Sequence, residues 1–176
     1  MDAKKFLCLT GLSLALGCSA SAFAQMDVPE AVRVPDGHKV AMETVGVGQI
    51  TYECQANKDM PGQMTWVFTG PKAALNDRSG KQVGTYYGPP ATWESMDGSK
   101  LTGTQLAIAP AGDGNIPHQL VKANPAEGKG AMTDVSYIQR VATKGGVAPN
   151  KACAATNEGE RQTVDYQADY LFWASK

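Results

Sequence analysis

Short runs that alternate apolar and polar side chains cover much of the chain. Gln49–Gln55 sets Ile50, Tyr52 and Cys54 against Thr51, Glu53 and Gln55. Thr133–Thr143 sets Val135, Tyr137, Gln139 and Val141 against Ser136, Ile138 and Arg140. Gln162–Trp173 puts Val164, Tyr166, Ala168, Tyr170 and Phe172 on one face. Met64–Phe68, Lys81–Tyr87 and Lys100–Ala109 add further segments rich in aromatic, β-branched or alternating residues. A period near two with this composition predicts strands, because successive strand side chains point to opposite faces. Lys72–Leu75 and Pro117–Asn124 read instead as a turn or two of helix, the second opened by a proline. Turn chemistry punctuates the runs at Asp97-Gly98, Asp113-Gly114 and Gly145-Gly146. The pattern predicts an all-β, single-domain antiparallel sandwich or small barrel of seven to nine strands.

The first residues set the compartment. Lys4 and Lys5 precede an apolar run, Phe6–Gly17, and Ala22-Phe23-Ala24 supplies the small side chains a signal peptidase accepts. The expected division is a signal peptide over 1–24, cleaved after Ala24, an extended N-terminal arm over 25–37, and an all-β domain over 38–176. The protein is expected in the periplasm or secreted. A rival cut before Cys18 would leave a lipid anchor, but Ala15 stands where that motif wants leucine. The run Phe6–Gly17 is too short to span a bilayer comfortably, and no second apolar run approaches the roughly 18 residues that spanning needs.

The chain has 16 basic and 17 acidic residues; the leader takes Lys4, Lys5 and Asp2, leaving 14 and 16 and a net charge of −2. That balance lacks the positive field a nucleic-acid binder needs. The leader also removes Cys8 and Cys18, so Cys54 and Cys153 remain as a pair in an exported protein. They are expected to form a structural disulfide rather than a redox couple, which is usually close in sequence.

Four stretches occur in order: YECQA (52–56), YYGPPATWESMDGSK (86–100), VSYIQRVATKGGVAP (135–149) and VDYQADYLFW (164–173). Together they resemble an uncharacterised family of exported proteins, domain of unknown function 3455, over roughly residues 28–173. The resemblance implies the same Cys54–Cys153 pair and no established activity. The chain departs from the family pattern where Pro90-Ala91 is added after Gly88-Pro89, where Thr85 replaces a histidine, and where His118-Gln119 replaces Trp-Leu.

The densest candidate chemistry lies in Gly88–Lys100. One reading is a decorated corner, with Trp93 on the edge of the core and Asp97 bonding its own turn. The other is a binding wall for a small molecule or glycan. Tyr86, Tyr87 and Trp93 would supply flat apolar faces, with Glu94 and Asp97 as acceptors. Arg140 shares a strand face with Ile138 and needs a partner. The expected partner is Asp165, Asp169 or Glu94; the alternative is a ligand carboxylate or phosphate, which a guanidinium fork suits. Asp165 and Asp169 are four apart on one strand, about 13 Å at strand rise, too far for a glycosidase pair.

Other chemistries are not signalled. There is no G-x-S-x-G, no H-E-x-x-H, no glycine-rich phosphate loop and no calcium loop after Asp113, while His38 and His118 stand alone. No catalytic residue, cofactor or metal is expected. Three functions are consistent with the residues: a non-enzymatic binding module, a structural envelope protein acting through its surface or its arm, and a hydrolase using Glu94 or Asp97.

Overall fold

The computed structural model describes residues 28–176. The expected signal peptide, the alternative anchor at Cys18 and the first residues of the expected arm lie outside them. Eight strands follow one another: β1 (His38–Ala56), β2 (Met64–Asn76), β3 (Gln82–Tyr87), β4 (Thr92–Ser95), β5 (Lys100–Ala109), β6 (His118–Ala123), β7 (Val135–Gly145) and β8 (Arg161–Ser175). Each pairs antiparallel with the next, and β8 returns to β1, so the sheet closes into a barrel. Of the two architectures open to an all-β chain, the closed one is adopted.

The expected alternation lines the interior. Ile50, Tyr52, Ala73, Leu75, Tyr86, Trp93, Leu101, Val121, Ile138, Tyr166, Ala168, Tyr170 and Phe172 form one buried cluster. Bulges in β1, β2, β5 and β7 interrupt the ladders, which lets long strands bend around a small barrel. Gly46 makes room for the ring of Tyr170: a Cβ there would lie 2.5 Å from it.

Two local expectations are corrected. Lys72–Leu75 lies at the end of β2, and Pro117–Asn124 is β6 with one flanking residue on each side. Alanine, leucine and lysine favour helix locally, but these segments complete ladders between strands on both sides, and strand propensity follows that context. The short β4 has no counterpart among the expected strands, because four residues carry too little pattern.

The two ends of the barrel differ. At one end Asp97 and Ser99, in the β4–β5 turn, hold the β6–β7 connection. Ala131 N donates to Asp97 Oδ2 at 2.8 Å, and Met132 N donates to Ser99 Oγ at 3.1 Å. Met132, fully buried, stops this end. At the other end the β7–β8 connection is tied down by Cys54–Cys153 (S–S 2.04 Å) and by Trp66 Nε1 donating to Lys151 O at 2.7 Å.

The described part of the arm is not free chain. Glu30–Val32 forms one 3-10 turn. Val32 is fully buried against Ala109 and Leu120 on the outer wall, and Gln139 Nε2 donates to Val32 O at 2.7 Å. Among the described residues no helix is long and apolar enough to cross a membrane.

Two stability predictions follow from this packing. Cys54→Ala/Cys153→Ala should lose about 2–4 kcal/mol in urea denaturation, since the cross-link closes a span of 99 residues. Gly46→Ala should cost about 1–3 kcal/mol through overpacking against Tyr170. Val47→Ala, exposed next door, should stay within about 0.5 kcal/mol.

Candidate functional site

Because side chains alternate along a strand, a residue's parity decides whether it meets the interior or the solvent. Tyr86 and Trp93 are directly opposite on β3 and β4 and both point inward. Their rings stack 4.8 Å apart with 18° between planes, and Tyr170 packs against both. Arg140 enters from β7, opposite Gln119 on β6 and Tyr170 on β8. These residues border a cavity of about 310 Å³ inside the end of the barrel away from Met132. Ile50, Tyr52, Phe68, Val121 and Gln105 complete most of its wall. Gly103 keeps it open, since a Cβ there would meet Val121 at 2.4 Å.

Tyr86, Trp93 and Arg140, three of the six candidate binding residues, are thus brought together, and the other three stand elsewhere. Tyr87 and Glu94 sit on the outer face, where Tyr87 Oη donates to Glu94 Oε2 at 2.8 Å. Asp97 serves the closed end. Hydrogen bonds from Ser99 and from the Ala131 backbone hold its carboxyl down to about 2.

The expected ion pair of Arg140 with an aspartate or with Glu94 is not formed. Arg140 Nε and Nη2 both donate to Pro117 O, at 3.2 and 2.9 Å. The carboxylates named as partners point outward, with partners of their own. Asp165 accepts from Gln49 at 3.0 Å, and Asp169 pairs with Arg78 at 2.7 Å. Parity is the reason: Asp165 and Asp169 alternate with the inward Tyr166, Ala168 and Tyr170.

Four phenols lie at the cavity or behind its wall. Burial raises the pKa of Tyr52, Tyr86, Tyr166 and Tyr170, and the charge of Arg140 opposes that rise at each. All four remain protonated phenols at neutral pH. Tyr52 Oη donates to Gly146 O at 2.8 Å, and the hydroxyls of Tyr166 and Tyr170 lie 3.3 Å apart. The buried Trp93 Nε1 has no acceptor among the described residues. Gln119 Nε2 donates to Gln105 Oε1 at 2.5 Å. No group of three or more metal-ligating side chains occurs among the described residues.

Sequence reasoning did not single out Tyr52, Phe68, Gln105 or Gln119. The alternation in Gln49–Gln55 places Tyr52 beside Ile50, which was a usable signal; nothing in the sequence marks Gln105. Ala91 and Gln119 both lie at departures from the pattern the chain resembles, and both face the cavity.

The linkage of Asp97 to the closed end is testable by pH. Its folded-state pKa is lowered from 3.8 to about 2, so its stabilisation is complete above about pH 4. It is lost as pH falls through about 2, a window shared with Glu160, also lowered to about 2. Asp97→Asn should therefore unfold more easily than wild type near neutral pH. The difference in urea midpoint should shrink as pH falls through that window, and a difference independent of pH would break the link.

No curated protein and no solved structure matches the chain. A family model described as a protein of unknown function, DUF3455, matches residues 35–174, from just before β1 to the end of β8. The chain therefore belongs to the DUF3455 family.

Proposed function

We propose that this protein is an exported, non-enzymatic module that binds a small molecule inside the open end of its barrel. The observation that carries the reading is the cavity of about 310 Å³, bordered by Tyr52, Phe68, Tyr86 and Trp93 together with Arg140. Eight strands make a barrel whose interior is either filled or holds one small ligand. Ligand pockets run from about 300 Å³ upward and combine apolar walls with a few convergent polar groups. Export is supported by the leader pattern over 1–24 and by the disulfide, which persists in oxidising compartments.

A polymeric glycan fits less well than a compact molecule. Tyr86 and Trp93 are 5% and 2% exposed, so they offer no platform across which a sugar chain could lie. A hydrolase using Glu94 or Asp97 has less support again. Glu94 is outside the cavity, and Asp97 is held ionised by hydrogen bonds to a turn. An envelope protein acting through its arm is weakened because Val32 is already buried against the barrel wall.

The test is a thermal-shift panel of small organic molecules on wild type and on Ala91→Trp, which places a large side chain at the cavity from a connecting loop. A native-state ligand must raise the melting temperature in a saturable way. The expected result is at least one such shift in wild type that disappears in Ala91→Trp, with the variant's own melting temperature little changed. Shifts that are equal in both proteins would remove the cavity from the function.

A further inference from the structure

Resting on the binding-module reading, we propose that the occupant is a small organic acid whose carboxylate docks on Arg140 while its apolar body lies against Phe68, Tyr86 and Trp93. Partial burial without a counter-charge sets Arg140 apart, since the other cations that lack a carboxylate among the described residues, Arg33 and Lys144 among them, are exposed. Arg78 pairs with Glu43 and Asp169, Arg161 with Glu53, Lys100 with Glu127 and Lys151 with Glu160. Arg140, half-buried at the cavity, has no carboxylate partner among the described residues; it donates to the neutral Pro117 carbonyl, with the Tyr170 phenol beside it. That carbonyl occupies two of the five N–H groups of the guanidinium. The remaining donors are left for another acceptor.

The rest of the lining points the same way. The phenol of Tyr86 stays protonated, and the buried indole N–H of Trp93 lacks an acceptor among the described residues. Strand parity turns Glu94, Asp165 and Asp169 to the outside. The cavity therefore presents one positive charge with spare donors on Arg140, beside the amides of Gln105 and Gln119, which carry donors and acceptors alike. A carboxylate offers acceptors and one negative charge, so it matches the charge and the spare donors of Arg140. A cation would meet Arg140 without a counter-charge. A phosphate dianion would bury a second charge that nothing at the cavity neutralises. The wall supplied by Ile50, Phe68 and Val121 suits an apolar remainder.

The experiment titrates the isotope-labelled exported protein with benzoate, 2-naphthoate and octanoate, each beside its neutral primary amide. The readouts are the NMR resonances of Trp93 Nε1–H and Arg140 Nε–H. The proposal expects at least one acid to shift both resonances in a saturable way and to bind about ten- to a hundredfold more tightly than its amide, the scale of a charge-assisted hydrogen bond. Arg140→Gln should abolish that preference, and Arg140→Lys should retain part of it. The acid-to-amide ratio in wild type stands whether or not the variants fold. Equal binding of acid and amide, or a preference that survives Arg140→Gln, would overturn the acid and leave the binding module intact. No response to any of the six probes, with hits in the thermal-shift panel, also overturns only the acid; no response in either experiment removes both readings.

Discussion

The ladder between β1 and β8 runs from His38↔Ser175 to Glu53↔Arg161 and joins the two ends of the described chain. It turns a meander into a barrel. Without it, the backbone donors and acceptors along two long edges would be left open to pairing with other chains. With it, every strand has one face toward a common interior, and the parity of each residue gains a fixed meaning. The buried cluster, the outward carboxylates and the inward Arg140 all follow from that closure.

Closure leaves two ends to be managed, and the chain manages them differently. One is stopped by Met132, held through Asp97 and Ser99 from the neighbouring turn. The other keeps a cavity, and the covalent tie between Cys54 and Cys153 fixes the long β7–β8 connection there. Asp97 thus belongs to the architecture, while Trp93, four residues earlier, belongs to the cavity. The dense stretch Gly88–Lys100 is both a corner and part of a wall, because its two halves serve opposite ends of the barrel.

Arg140 sits where the two demands meet. Its bonds to Pro117 O brace the chain entering β6, which is a structural task. Its position among Tyr52, Tyr86, Tyr166 and Tyr170 gives the cavity its only positive charge among the lining residues. A guanidinium can do both because it is planar and carries more donors than one carbonyl accepts. The burial of the tyrosines keeps them neutral, so they do not cancel that charge.

Much of this was readable in the residues alone. Alternation in Gln49–Gln55 and Gln162–Trp173 placed Ile50, Tyr52, Tyr166 and Tyr170 on buried faces, because a strand's period of two is a local property. The bond between Cys54 and Cys153 was legible for a similar reason: they are the two cysteines outside the expected leader, and thiol chemistry constrains them before any fold is known. The helical reading of Lys72–Leu75 and Pro117–Asn124 failed because local propensity is weak against ladders formed by distant strands. The partner of Arg140 was equally out of reach. Choosing between Asp165, Asp169 and a backbone carbonyl requires the register of β6 against β7 and of β7 against β8. That register, and with it the cavity, exists only once the sheet has closed.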